Sequence, residues 1–186
     1  MADNYLEKKM EEYRRGTPRP VMRRSPSGVA RNIAAMPCAL SGAFFVCNGQ
    51  LSPLLRACAT ALRDTSCRIG FCSIDHSYGN KTAQQLSFQF YPIAEFSDRS
   101  VENVIFKASE SFGKIDAIIK ENDSGVEISG DGSKSTITAA DDCSEDVFLS
   151  VVPRFIVYLL LPQSRDLGIS GKFIVDSSGH LSVIED

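Results

Sequence analysis

The sequence predicts an α/β protein with a doubly wound, mainly parallel sheet, and three observations carry this. Short apolar runs of strand length recur along the chain, at 43–47, 68–74, 86–93, 115–119 and 171–176. Between several of them lie segments with helical spacing that open on residues able to cap a helix. One stretch, Ala43 to Asp75, runs apolar segment, glycine turn, helix, apolar segment, acid, which is the order of a βαβ unit. Continuous apolar runs of this length suit strands buried on both faces. Right-handed crossovers then give about five strands in the order 3-2-1-4-5, in three layers with helices on both faces.

Composition fits this frame. The chain has 186 residues, 43% hydrophobic and 23% charged, enough for one domain with a real core. The longest apolar run, Phe155 to Leu161, is too short for a membrane span, so no membrane partner is expected. The N-terminus is charged and does not read as a secretory signal. Six cysteines form no C-x-x-C pair and there are two histidines, so no metal site is expected. Cysteines set in apolar segments read as buried thiols of a cytoplasmic protein.

Charge divides the chain. Residues 1–31 carry a net charge of +4 and the remainder a net of −7. Residues 1–37 read as a separate N-terminal piece, and 38–186 as a single domain. Asn4 to Arg15 is a helix candidate with a thin stripe of Leu6, Met10 and Tyr13. An arm follows, with four prolines among four arginines. The arm lacks aromatic residues for base stacking. Its expected role is a solvated arm, with nucleic-acid binding as the competing reading.

In the body, Ala43 to Cys47 is the first strand and Asn48-Gly49-Gln50 the turn. Ser52-Pro53 then marks a helix start, Ser as N-cap and Pro at N1. Leu54, Leu55, Cys58, Ala61 and Leu62 form its apolar face. Arg68 to Ile74 is the second strand, ending at Asp75. Tyr78 to Gln85 is polar, a loop or short helix, and Leu86 to Ile93 fits the third strand. Ser97-Asp98 caps a helix whose spacing runs Val101, Val104, Ile105, Ala108, Phe112 and stops at Gly113. Ile115 to Ile119 is the fourth strand. Two alternating runs flank Gly130-Asp131-Gly132 and predict a small hairpin insertion near 126–138. Ser144 caps a long apolar helix, 145–161, kinked at Pro153. The fifth strand is 171–176.

Several of these residues together resemble the short-chain dehydrogenase/reductase family, over about Ala43 to Gly179. The family's T-G-x-x-x-G-x-G turn corresponds to Asn48 through Leu55, and its acid after the second strand to Asp75. Its D-V-x-D segment looks like Glu95-Phe96-Ser97-Asp98. SVENVIFKASESFGKIDAII looks like its fourth helix and fourth strand, which places its N-N-A-G on Lys120 to Asp123. KFIVDSSG looks like its G-x-I-V-N-x-S-S, with the catalytic serine at Ser177 or Ser178. The resemblance implies a Rossmann-like fold, NAD or NADP as cofactor, and a homo-oligomer joined through outer helices, the long helix 145–161 among them. The cofactor candidates it singles out are Asn48, Gly49, Gln50, Asp75 and Glu95.

The chain departs from that pattern where the chemistry lies. Pro53 and Leu55 replace the second and third glycines of the turn. Pro53 removes an amide donor at a helix N-terminus, and Leu55 adds bulk where close helix packing is needed. No Tyr-x-x-x-Lys follows the serine; the family's tyrosine is its general acid/base. The expectation is a non-catalytic domain with no bound cofactor, serving as a scaffold for binding or assembly. The alternatives are residual NAD(P) binding and an oxidoreductase subunit completed by a partner.

Overall fold

A computed structural model describes residues 42–123, 125–130, 132–160 and 170–184. The helix candidate and basic arm expected within 1–37 lie outside the described residues.

The first half follows the predicted alternation. Strand β1 (Gly42–Val46) leads to helix α1 (Pro53–Arg63), strand β2 (Arg68–Ser73), helix α2 (His76–Leu86), strand β3 (Gln89–Pro92), helix α3 (Asp98–Phe112) and strand β4 (Ala117–Asn122). Each helix starts on a side-chain cap. Ser52 accepts from the Leu55 amide, Asp75 from Tyr78, and Ser97 from Ser100. The polar segment after β2 is therefore a full helix. It sits tight on the sheet because Gly79 has no side chain: a Cβ there would meet the Phe90 ring at 2.3 Å.

Every predicted strand shifts by a residue or more at an end, and two change most. The third strand is shorter than the predicted 86–93, because Leu86 ends α2 and Ser87 turns into the left-handed region at φ 57° to close it. The fourth runs on past 119 to Asn122, because an antiparallel neighbour continues the ladder.

The second half corrects the predicted sheet. β5 (Gly125–Gly130) and β6 (Ser133–Ala139) form the expected hairpin, but they are central members of the sheet and not an insertion. Helix α4 (Glu145–Leu159) follows, capped by Ser144, and continues through Pro153. β7 (Gly171–Val175) pairs parallel to β6, and β8 (Leu181–Ile184) folds back antiparallel on β7. The sheet thus has eight strands, in the order β3-β2-β1-β4-β5-β6-β7-β8. It is mixed: pairings β1–β2, β1–β4, β2–β3 and β6–β7 are parallel, and β4–β5, β5–β6 and β7–β8 antiparallel. The half β3-β2-β1-β4 keeps the parallel, right-handed arrangement of a Rossmann-like sheet.

Burial explains both halves. Phe45 and Ala43 face one core cluster and Phe44 and Val46 the other, so β1 is enclosed on both sides. On the first side α1 and α4 pack together over the sheet, with α2 alongside, and bury Leu55, Cys58, Leu62, Val152 and Ile156. On the second side α3 covers β1 and β2 with Val104, Ala108 and Phe112. Each large apolar side chain buried this way stabilises by about 1.5–3 kcal/mol.

β5 to β8 are different. Val126, Ile128, Ile137, Phe173 and Val175 face the first cluster, and the second contains nothing from these strands. In β5 and β6 the residues therefore alternate, apolar toward that cluster and mostly polar away from it. On that polar face Glu127 bridges Lys120 at 2.9 Å and Lys134 at 2.7 Å, across three strands. Burial alone would raise its pKa; the two ammonium groups bring it below the usual carboxylate range.

Candidate functional site

In a Rossmann-like sheet the ligand crevice lies outside the carboxyl ends of the strands, where the strand order reverses. Here that point falls between β1 and β4. The turn after β1 carries Asn48, Gly49 and Gln50, with Asn48 and Gln50 exposed. The turn is tied down from beneath. The buried Ser73 hydroxyl, at the end of β2, donates to the Gly49 carbonyl and accepts from the Asp75 amide at 2.9 Å. The Cys47 thiol donates to the Cys72 carbonyl at 3.0 Å. Ser73 is legible in the sequence only as one hydroxyl in an apolar run, and the sequence reading passes over it.

No protein atom and no backbone angle requires glycine at position 49: its φ is not positive, and a Cβ there would meet no protein atom within 4 Å.

The N-terminus of α1 is similarly committed. Pro53 at its first position has no amide N–H, and the Leu55 N–H is taken by Ser52 at 3.1 Å. Leu55 is 2% exposed and belongs to the core against the sheet, so its bulk enters the helix–sheet packing rather than the crevice.

A cleft of about 230 Å³ does open beside Ser52 and Pro53. Its other walls come from the end of β4, the start of β5 and the start of α4: Glu121, Asn122, Asp123, Gly125 and Glu145, with Leu54 of α1 and Phe148 and Leu149 of α4 beside them. Among the described residues three carboxylates line it and no lysine or arginine does. Where the resemblance sets the N-N-A-G segment, Lys120, Glu121 and Asn122 are strand residues paired with Glu127, Val126 and Gly125.

The remaining candidates scatter. Asp75 is the N-cap of α2, its Oδ1 accepting from the Tyr78 amide at 2.9 Å. Glu95 is exposed in the segment after β3, where the Ser97 hydroxyl reaches it at 3.5 Å. Ser177 and Ser178 are exposed turn residues between β7 and β8. Asp176 holds that turn by accepting from the amides of Ser178 at 2.8 Å and His180 at 2.9 Å. Those bonds, the His180 amide first, keep its carboxyl below the usual range. The Ser177 hydroxyl donates to Asp142 at 2.7 Å. Gly179 completes the turn at φ 75°. Ser73 joins Gly49 to Asp75, Asn48 and Gln50 flank Gly49 in the turn, and Ser177 and Ser178 sit in a separate hairpin.

Three of the thiols are held protonated by burial. Burial pushes Cys47 and Cys58 up to about 12 and Cys72 to about 11. Among the described residues no group of three or more His, Cys, Asp or Glu is arranged to hold a metal ion. No helix among them is long and apolar enough to cross a membrane.

No protein-family model matches the chain, and no curated protein does. Solved structures are similar to it at low identity. The TT0495 protein from Thermus thermophilus is 17% identical over 70% of this chain and 53% of its own, with a TM-score of 0.36. A short-chain dehydrogenase from Streptomyces avermitilis is 16% identical over 73% and 48%, with a TM-score of 0.34. A 3-oxoacyl-[acyl-carrier protein] reductase with bound NAD from Brucella melitensis is 18% identical over 78% and 56%, with a TM-score of 0.34. The chain spans about half the length of these proteins. The Rossmann-like description rests on the strand order and crossovers themselves.

Proposed function

We propose that this chain is a non-catalytic Rossmann-like domain that serves as a scaffold for binding or assembly. The observation that carries the reading is the cleft beside α1. A dinucleotide would need its pyrophosphate next to a helix N-terminus, where amide donors and the helix dipole favour an anion. In this chain that place is lined by Glu121, Asp123 and Glu145, with Pro53 at the helix start. Like charges at short range disfavour a phosphate there, and one amide donor is missing. Ser177 and Ser178 sit in a turn built by Asp176, so they have a structural reason to be where they are. The buried thiols of Cys47, Cys58 and Cys72 suit a reducing cytoplasmic setting.

A thermal-shift panel tests this. NAD(H), NADP(H) and adenosine nucleotides at millimolar concentration are expected to leave the unfolding midpoint unmoved. A saturable rise with any of them overturns the reading, because a ligand that binds only the folded state must stabilise it.

One observation favours a second reading, residual nucleotide binding or an oxidoreductase subunit completed by a partner. Ile74 and Phe96, at the carboxyl ends of β2 and β3, are 42% and 46% exposed. Exposed apolar side chains on that edge suit a planar ring. In the same panel this reading expects a shift with adenosine alone, retained when the phosphates are removed.

A further inference from the structure

Asn48 and Gly49 form the one Asn-Gly pair in the sequence. They stand in the turn after β1, and Asn48 is exposed. Among the described residues neither the Asn48 carboxamide nor the Gly49 amide N–H has a hydrogen-bond partner. The turn is held instead through the Gly49 carbonyl, which accepts from the Ser73 hydroxyl. A Cβ built on Gly49 has no protein atom within 4 Å. The nitrogen that follows Asn48 is thus neither spent on a hydrogen bond nor shielded by a side chain. The other described asparagines differ. Asn80 lies in α2 and Asn103 in α3, where the amide of the next residue belongs to the helix ladder. They precede Lys81 and Val104, and Asn122, at the end of β4, precedes Asp123.

We propose that Asn48 is a site of spontaneous covalent modification: deamidation through a cyclic imide formed with Gly49. The Gly49 nitrogen attacks Asn48 Cγ and gives up its proton as the new C–N bond forms. The Cγ–Nδ2 bond breaks, and Nδ2 leaves as ammonia with that proton. Water then opens the imide at either carbonyl. One opening gives aspartate; the other gives isoaspartate, in which the main chain runs through Cβ and Cγ. The net reaction is hydrolysis of the side-chain amide, with water as the co-reactant and no change of oxidation state. Glycine favours it because a bare Cα lets the backbone bend onto the side chain. At neutral pH the product carries one more negative charge, since a carboxylate replaces a neutral amide. Isoaspartate also lengthens the main chain by one carbon, next to the carbonyl that Ser73 holds.

This goes beyond the scaffold reading and does not depend on it, since nucleotide titration decides the one and mass mapping the other. The full chain is incubated folded, in warm and mildly alkaline buffer made with heavy-oxygen water. A second sample is kept unfolded in urea, and both run until the unfolded chain has converted. Folded wild type is expected to take up heavy oxygen at residue 48, as isoaspartate in excess over aspartate. Its rate is expected to lie within about tenfold of the unfolded chain, because the turn is exposed and its amide is not locked. Gly49→Ala is expected to slow the reaction about tenfold or more at an unchanged urea midpoint, since a Cβ shields the attacking nitrogen and stiffens the backbone. A folded chain that keeps asparagine at residue 48 overturns the proposal. So does aspartate as the sole product, a rate unchanged in Gly49→Ala, or heavy oxygen at Asn80, Asn103 or Asn122 in its place.

Discussion

Ser73 donates its hydroxyl proton to the Gly49 carbonyl and, through the same oxygen, accepts from the Asp75 amide. One buried side chain therefore joins the turn after β1 to the start of α2. That turn is the place where a Rossmann-like sheet would admit a phosphate, and it is held by the protein's own groups. Ser73→Ala would remove both hydrogen bonds and leave a buried carbonyl and amide without this partner. It is expected to destabilise by about 1–3 kcal/mol, read as a lower urea midpoint with an unchanged slope.

Two glycines should respond in opposite ways. Gly49 has open space where a Cβ would sit and an ordinary φ. Gly49→Ala is expected to be neutral or to stabilise by a few tenths of a kcal/mol through the unfolded chain. Gly79 has the Phe90 ring at 2.3 Å from a built Cβ. Gly79→Ala is expected to destabilise by about 1–3 kcal/mol through overpacking. A large loss at Gly49 would mean that the turn needs glycine after all.

Alkaline pH should weaken the fold. The buried thiols of Cys47, Cys58 and Cys72 are raised to about 12, 12 and 11. In the unfolded chain they ionise near pH 8.5–9, so above that pH the unfolded state binds fewer protons than the native state. Stability is then full below pH 8.5 and is lost as pH rises toward 11–12, by at most about 1.4 kcal/mol per thiol per pH unit. Urea midpoints at pH 7.5 and 10 measure it. Alkylation by iodoacetamide at pH 7.5 is expected to be slow for these three thiols until denaturant is added.

The serines that look catalytic should prove structural. Ser177→Ala removes one exposed hydrogen bond to Asp142 and is expected to change stability by no more than about 0.5 kcal/mol. Gly179→Ala forces a side chain into φ 75° and is expected to cost about 1–2 kcal/mol. Paired urea titrations separate the two.

The sequence reveals what is locally encoded. Ser52-Pro53, Ser97-Asp98 and Ser144 announce three helix starts because a cap is a short-range device. Gly113 marks the end of α3 for the same reason. The apolar runs of β1 and β2 are legible because burial on both faces leaves no polar alternation. What stays hidden is pairing. Val126-Glu127-Ile128 reads as a hairpin strand, but nothing local says that its outer edge pairs with β4, which turns an insertion into the middle of the sheet. β8 is hidden because its turn residues, Asp176 to His180, match a strand-end motif of the resembled family. At the site, the loss of glycine and the presence of Pro53 are visible directly. The meeting of Glu121, Asp123 and Glu145 around one cleft is not, since it depends on α4 packing back against α1.

The long helix gives one more lesson. Its apolar length suggests an outer surface for a partner subunit. In the fold, Phe148, Val152, Ile156 and Val157 are spent within the protomer, against α1 and the sheet.

Calorimetric titration of NADH into the purified chain, at neutral pH and millimolar ligand, bears most directly on the central claim. A cleft lined by three carboxylates beside Pro53 predicts no saturable heat. One-to-one binding with a defined dissociation constant below the millimolar range would contradict it.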